Sequence, residues 1–128
     1  MAVKFLSDEY LGEVETRLNG HDGFQAAAKG QAARLQQEVT GTPEGDVRYG
    51  FVLDGGKVAI QRGDIDTPEA TITQSFDTAV AMSKGETTGQ QAFMQGKLKV
   101  AGNLMKIMQL QGVFTAMPQA LSDLEVEY

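Results

Sequence analysis

The 128-residue sequence contains no cysteine, no tryptophan and a single histidine, His21. Without cysteine the chain can form no disulfide and has no thiol nucleophile, and one histidine does not make a zinc site. His21 directly follows Asn19 and Gly20, a typical helix-ending pair, so a capping or surface position is its simplest interpretation. Thiol and histidine-cluster chemistries are therefore excluded.

Sequence patterns of other catalytic and cofactor sites are also missing. Gly55 and Gly56 lie between two strand-like segments, not between a strand and a helix, so they do not form a phosphate-binding loop. There is no Gly-x-Ser-x-Gly segment, and Asp64 and Asp66 lack the spacing and the glutamate of a calcium loop. We therefore predict a protein that is not an enzyme, with no cofactor and no metal. A small enzyme for a hydrophobic substrate is the least favoured alternative.

Long apolar runs are absent as well. No stretch approaches the roughly 20 apolar residues that span a bilayer. The N-terminal stretch lacks the apolar core of a signal peptide, and the terminal Glu-Val-Glu-Tyr does not match the Ser-Lys-Leu type of peroxisomal address. We therefore expect a cytoplasmic protein.

The charge is negative overall but unevenly placed. The formal net charge is −6, which argues against nucleic-acid binding, because phosphate backbones require a basic surface. Residues 87–122, however, contain no acidic residue and three lysines, Lys97, Lys99 and Lys106. These lysines could hold the chain transiently on an anionic membrane surface, at about 1 kcal/mol each. The alternative is that they only solvate the outer side of a strand and a helix.

The composition, 41% hydrophobic and 22% charged, is that of an ordinary globular protein, and the length indicates one domain over residues 1–128. Caps and apolar periodicity predict three early helices: Asp8–Leu18 after the N-cap Ser7, Asp22–Ala28, and Phe76–Ser83 after the N-cap Ser75. Alternating segments predict strands at Ala33–Val39, Val47–Leu53, Val58–Gln61 and Ala70–Thr73, with a loop at Gly41–Gly45 and a tight turn at Gly55-Gly56.

The stretch from Thr87 to Met108 contains three further elements. Thr88 caps a short helix that ends at Gly96, and Gln91 is placed for its side chain to reach back to that cap. Leu98–Val100 alternates with lysines, as a strand with one buried face does, and Asn103 then caps a helix over Leu104–Phe114. Strands joined by short turns, with helices gathered later in the chain, predict an α+β fold.

The segment AFMQGKLKVAGNLMKIMQL, which begins at Ala92, resembles the signature of the sterol carrier protein-2 family, and the order of the upstream elements also fits. The resemblance implies a five-stranded, mostly antiparallel sheet with helices on one face and an apolar cavity between sheet and helices. It also implies a non-catalytic carrier for an apolar lipid: a sterol, a fatty acid or a fatty acyl derivative.

Four of the six methionines, Met94, Met105, Met108 and Met117, fall late in the chain. Taken alone, such a cluster is either ordinary core or a surface that adapts to varied apolar partners. The resemblance favours a ligand cavity, whose predicted lining residues are Phe76, Val80, Phe93, Met94, Leu98, Val100, Leu104, Met105, Met108 and Phe114. Gln91 is predicted to contact a ligand head group, although its capping role explains it equally well.

One departure from the family pattern bears on the cavity. The residues after Asn103 read Leu-Met-Lys-Ile-Met, which are bulkier than the small residues often found there, so they could shrink or fill the space. A filled cavity would favour a second function: an accessory interaction domain of the same fold that presents apolar substrates to a partner enzyme or dimerises it.

Overall fold

The computed structural model, which describes residues 2–128, contains a five-stranded sheet and six helices. The strands of this sheet are β2 (Ala32–Thr42), β3 (Gly45–Asp54), β4 (Lys57–Arg62), β5 (Ala70–Ser75) and β6 (Leu98–Gly102). The helices are α1 (Asp8–Gly20), α2 (Asp22–Ala28), α3 (Phe76–Ser83), α4 (Gly89–Met94), α5 (Leu104–Gln109) and α6 (Gln111–Ala120). Two further strands, β1 (Val3–Lys4) and β7 (Val126–Glu127), pair in parallel and join the two ends of the chain.

The strand order is β4-β3-β2-β5-β6. β2 and β5 run parallel, and the other three neighbouring pairs are antiparallel. The β3–β4 hairpin turns at Gly55 and Gly56, whose φ angles of 60° and 99° lie in the left-handed region that glycine enters without strain. The prediction of a five-stranded, mostly antiparallel sheet in an α+β fold is confirmed.

The core lies between the sheet and α1, α2 and α6. Alternate residues of each strand point to the same face, and register places Leu35, Phe51 and Ile60 in one row across β2, β3 and β4. Leu18 of α1 and Phe24 of α2 are completely buried in the same cluster. The burial of these apolar side chains, at about 1.5–3 kcal/mol each, fixes the helices to this face.

The opposite face of the sheet is largely polar and is covered at one point by the loop after β4. Ile65 of that loop lies directly over Gly50 of β3, where an added Cβ would come within 2.0 Å of the Ile65 side chain. The buried side chain of Gln36 in β2 accepts a hydrogen bond from the Ile65 N–H at 2.9 Å. This loop therefore depends on a glycine and a glutamine in two neighbouring strands.

The four predicted helix caps are confirmed. Ser7, Ser75, Thr88 and Asn103 each accept, through the side chain, a hydrogen bond from a backbone N–H three residues later, at 3.1–3.2 Å. These contacts satisfy N–H groups that have no partner within the first turn of a helix. Local sequence thus sets where α1, α3, α4 and α5 begin.

Three predictions of local structure are wrong or incomplete. The single helix over Leu104–Phe114 is two helices, α5 and α6, because the chain turns at Leu110, whose side chain is buried in the core. The loop at Gly41–Gly45 is shorter than predicted, since β2 continues to Thr42 and leaves Pro43 and Glu44 in the turn. The short strands β1 and β7 were not predicted.

Candidate functional site

The edge of the sheet formed by β6 is flanked by α4 before it and α5 after it. α4 packs against β6, and α5 packs against β5. Gly102, at the end of β6, has a φ of 102°, and an added Cβ there would meet the Glu69 carbonyl oxygen at 2.6 Å. The next N–H, of Asn103, donates to that same carbonyl at 2.8 Å. The close approach of the two chain segments fixes where α5 starts, and only glycine permits it.

Large apolar side chains are exposed on both flanking helices. We call Phe93 and Met94 of α4 and Leu104, Met105 and Met108 of α5 the exposed apolar group; these residues are 44%, 77%, 44%, 65% and 59% exposed. Among the residues that the structure describes, the only other large apolar residue so exposed is Tyr128. Single exposed apolar residues are common, but a concentration of them indicates a surface that binds something.

A half-buried apolar wall adjoins this exposed apolar group. Leu98 and Val100 of β6 are half-buried and pack, with Phe114 of α6, against the main core. Val100 pairs with Ile72 of β5, and this places both β6 side chains on the helix-bearing face of the sheet. The predicted projection of Leu98 and Val100 from the last strand agrees with this register.

Phe76 and Val80 lie in a different cluster. They are half-buried in a second apolar cluster with Phe5 and Val39, and the rings of Phe5 and Phe76 have centroids 6.0 Å apart. A small cavity of about 50 Å³ borders Phe76 beside Tyr128. Within the described structure, the predicted lining residues thus fall into three places: this second cluster, the half-buried wall and the exposed apolar group.

A larger cleft, of about 450 Å³, shares no lining residue with the predicted site. It is lined by residues of α1, α6 and the segments that follow them, among them Arg17, His21 and Asp123. Arg17 forms ion pairs there with Asp123 at 2.6 Å and with Glu13 at 3.7 Å. His21 accepts a hydrogen bond from the Phe24 N–H at 3.0 Å, so it caps the start of α2.

Gln91 is exposed and takes part in the local contacts of the α4 cap. Its backbone N–H donates to the Thr88 hydroxyl, and its side-chain oxygen lies 3.4 Å from the Thr87 hydroxyl, which donates to it. The predicted reach of this side chain to the Thr88 backbone is replaced by the contact with Thr87. Its contact with a ligand head group stays a prediction.

The three lysines of this region differ in their surroundings. Lys97 and Lys99 are exposed, and the alternation of β6 places Lys99 on the face away from Leu98 and Val100. The Lys106 ammonium lies 3.5 Å from a carboxylate oxygen of Glu69 and is mostly covered. Lys97 and Lys99 are therefore the cations best placed for an external anionic partner.

Gln74 of β5 is a site residue that the sequence analysis missed. It is buried, 8% exposed, and its side-chain oxygen Oε1 has no hydrogen-bond partner among the described residues. The signal was present in the sequence: in Ala70-Thr71-Ile72-Thr73-Gln74, the inward positions 70, 72 and 74 end with a polar residue. Gln74 pairs with Leu98, so it lies beside the half-buried wall.

Ionisable groups and metals contribute little to this site. Burial raises the pKa of Tyr49 to about 12 and also raises the pKa of Tyr10, so both phenols stay neutral at physiological pH. Across residues 2–128 there is no group of three or more histidine, aspartate or glutamate side chains that could hold a metal ion. In the same residues, no helix combines the length and apolar character needed to cross a bilayer.

The family model of the SCP-2 sterol transfer family matches residues 13–115 of the chain. Because this match covers most of the sequence and the fold agrees with it, the chain belongs to the SCP-2 sterol transfer family. The resemblance read from the segment that begins at Ala92 is confirmed. Comparison with curated proteins gave no match.

Several solved structures share the fold. A candidate sterol carrier protein from Thermus thermophilus is 14% identical, with a TM-score of 0.83, over 98% of this chain and 93% of that one. A crystal structure of sterol carrier protein 2 is 15% identical, with a TM-score of 0.81, over 94% of this chain and 99% of that one. The sec-alkylsulfatase Pisa1 from Pseudomonas sp. is 17% identical, with a TM-score of 0.60, and the match covers 84% of this chain but 16% of the sulfatase.

Proposed function

We propose that this chain is a non-catalytic cytoplasmic carrier that holds an apolar lipid, such as a sterol, a fatty acid or a fatty acyl derivative, between the sheet and the helices beside β6. The observation that carries the proposal is the exposed apolar group of α4 and α5 next to the half-buried wall of Leu98, Val100 and Phe114. Membership of a sterol transfer family supports it.

The energetics favour covering these side chains. Full burial of a Leu, Met or Phe side chain is worth about 1.5–3 kcal/mol, and the five members of the exposed apolar group are roughly half to three-quarters exposed. Covering all five would therefore gain on the order of 5 kcal/mol before the entropic cost of binding. An apolar ligand that slips beneath α4 and α5 could recover much of this free energy.

The short helices of this region suit ligand entry. α4 and α5 have six residues each, and none of the six described residues of α5 is buried. Helices this short owe their stability to packing, so α5 has a low cost of local displacement. We propose that α5 moves to admit the ligand and that methionines at positions 105 and 108 then adapt to its shape.

Contact with a membrane is part of the proposed carrier cycle, because an apolar cargo is collected from and delivered to bilayers. Lys97 and Lys99 are exposed next to α4, and no acidic residue occurs between positions 87 and 122. The proposed contact is transient, because each lysine near an anionic surface contributes only about 1 kcal/mol.

An accessory role is the second candidate. The likeness to one part of a much longer alkylsulfatase shows that this fold also occurs inside an enzyme. In this alternative, the exposed apolar group would bind a partner protein or a second copy of the chain instead of a lipid.

Native mass spectrometry of freshly purified protein, followed by solvent extraction, tests the carrier proposal. We expect a co-purified lipid and, after its removal, saturable binding of an environment-sensitive fatty-acid probe. Protein that carries no lipid and shows no saturable probe binding would contradict the carrier role. Self-association that disappears in Met105→Glu would then support the accessory role.

A further inference from the structure

Two glutamines are buried in neighbouring strands of the sheet, and they differ in their hydrogen bonds. Gln36 of β2 is 2% exposed and its amide is fully engaged. Its Nε2 donates to the carbonyls of Tyr49 and Gly63 at 3.2 and 3.0 Å, and its Oε1 accepts from the Ile65 N–H at 2.9 Å. Gln36 is a structural residue that holds the loop after β4 on the polar face of the sheet.

Gln74 of β5 has no such explanation. It is 8% exposed, and its Oε1 accepts no hydrogen bond from any group in residues 2–128. An unpaired buried polar atom destabilises a protein because it loses water and gains nothing in return. Such exceptions are few in folded proteins, and one of their explanations is a binding partner that is not part of the chain.

The position of Gln74 indicates what that partner is. Register places Gln74 between Val39 of β2 and Leu98 of β6, two residues after Ile72 on the same face. That face carries the helices, with α3 packed on β5 and α4 packed on β6. Side chains directly opposite each other in a sheet have Cβ atoms about 5 Å apart. The Gln74 amide therefore belongs to the same wall as Leu98 and Val100.

An amide oxygen only accepts hydrogen bonds, so its partner must be a donor. We propose that Gln74 Oε1 accepts a hydrogen bond from a hydroxyl group of the bound lipid, and that the ligand class is therefore a hydroxyl-bearing apolar molecule. This inference rests on the proposed carrier function. A long-chain alcohol and a sterol both offer such a hydroxyl, whereas an ester, a thioester or an ionised carboxylate presents only acceptors.

The expected discrimination is large enough to measure. A site built to hydrogen-bond a ligand hydroxyl rejects the analogue that lacks it, because the protein group is then left unpaired. The net value of one buried hydrogen bond corresponds to a preference of about tenfold in dissociation constant. A ligand whose hydroxyl is capped with a methyl group loses the donor and keeps the rest of the molecule.

The test is a competition experiment with an environment-sensitive fatty-acid probe on the parent protein and on Gln74→Met. The competitors are hexadecan-1-ol and its methyl ether, and cholesterol and its methyl ether. We expect the parent to prefer the free hydroxyl about tenfold in at least one pair, and that pair identifies the linear or the sterol type of ligand. In Gln74→Met the preference is lost while binding of the methyl ether is retained.

Thermal melts of the lipid-free protein give a second readout, with Gln36→Met as the matched control. Gln36→Met removes a glutamine with three hydrogen bonds and is expected to melt about 5 °C or more below the parent. Gln74→Met removes an unpaired group and is expected to melt at or above the parent temperature. Gln74→Met that melts as low as Gln36→Met would show a structural role and overturn the inference.

The binding outcomes separate this inference from the carrier proposal. If the parent binds the alcohol and its ether equally in both pairs, or if Gln74→Met keeps the preference, the role of Gln74 is overturned and the carrier function stands. If the parent shows no saturable binding of the probe or of any competitor, the carrier function fails and the inference fails with it.

Discussion

The side-chain amide of Asn19 forms two hydrogen bonds with the backbone of Val58, one in each direction. Its Nδ2 donates to the Val58 carbonyl at 2.9 Å, and its Oδ1 accepts from the Val58 N–H at 2.7 Å. Glu15, on the same helix, accepts from the Ile60 N–H at 3.1 Å. Both partners lie in β4, an edge strand, so α1 occupies backbone groups that would otherwise be free to pair with another chain.

The first prediction concerns this contact. Asn19→Ala removes both hydrogen bonds and leaves two partly buried backbone groups of Val58 without that partner. We expect the free energy of unfolding to fall by about 2–3 kcal/mol, measured by urea denaturation.

Asn19→Asp is the matched variant, because it keeps the size of the side chain and the acceptor for the Val58 N–H. It places a carboxylate oxygen against the Val58 carbonyl, so we expect it to be destabilising as well. The exposed cap residue Asn103 provides the reference, since its change to Ala is expected to cost about 1 kcal/mol. A cost of Asn19→Ala no greater than this reference would contradict the importance of the contact.

The second prediction concerns ligand binding. Met108→Glu places a charge in the exposed apolar group, so we expect it to abolish binding of a fatty-acid probe. Because Met108 is 59% exposed, its replacement should cost little stability. Val100→Glu should also abolish binding, but with a loss of about 2 kcal/mol or more, since it puts a carboxylate against the packed wall.

Ala101→Glu is the control for this pair. Ala101 is exposed in the same strand as Val100 but on the opposite face, so a charge there should leave probe affinity unchanged. The measurements are a probe titration and a urea melt for each variant. Probe affinity in Met108→Glu equal to that of the parent would count against the proposed site.

The third prediction concerns the membrane surface. The double change Lys97→Gln and Lys99→Gln should lower partitioning onto vesicles that contain anionic lipid by about tenfold or more, because each lysine contributes about 1 kcal/mol. Sedimentation with vesicles is the measurement. Lys29→Gln with Lys57→Gln removes the same charge from exposed positions elsewhere and should leave partitioning unchanged. Equal losses in both double variants would mean that only net charge matters.

The fourth prediction concerns alkaline pH. Burial raises the pKa of Tyr49 to about 12, above its ordinary value of 10.0, so the neutral phenol is favoured in the folded state. This contribution to stability is fully present below about pH 10 and is lost as the pH rises towards 12. At pH 11 the loss from this residue is about 1.4 kcal/mol.

Tyr49→Phe keeps the ring and removes the ionisation. Urea melts between about pH 8 and pH 11 should therefore show a smaller loss of stability in this variant than in the parent. Parallel pH profiles for the two proteins would refute the assignment to Tyr49. Tyr10, whose pKa burial also raises, accounts for part of the loss that remains.

Much of the fold follows from local sequence. Ser7, Ser75, Thr88 and Asn103 begin helices because a side-chain oxygen can reach an N–H three residues later wherever the chain goes next. The glycine pair at Gly55-Gly56 sets the β3–β4 turn for a similarly local reason, its two positive φ angles. The family signature that begins at Ala92 lies in one continuous stretch, so it was visible without a structure.

Other features depended on distant parts of the chain. The strands β1 and β7 have two residues each and carry no periodicity, so only their pairing across the whole sequence creates them. The apolar spacing of Leu104, Ile107 and Phe114 continues through Leu110 without a stop signal. The chain turns there because the Leu110 side chain reaches the core, and sequence periodicity does not contain that distance.

The candidate site shows the same division. An apolar periodicity places residues on one face of a helix, but it does not say whether another element covers that face, so the sequence could predict Met105 and Met108 as site residues and not their exposure. The contrast between Gln36 and Gln74 was also out of reach. Both are glutamines in strands, and only the tertiary structure brings the Tyr49 and Gly63 carbonyls and the Ile65 N–H to Gln36 while it leaves the oxygen of Gln74 without a donor.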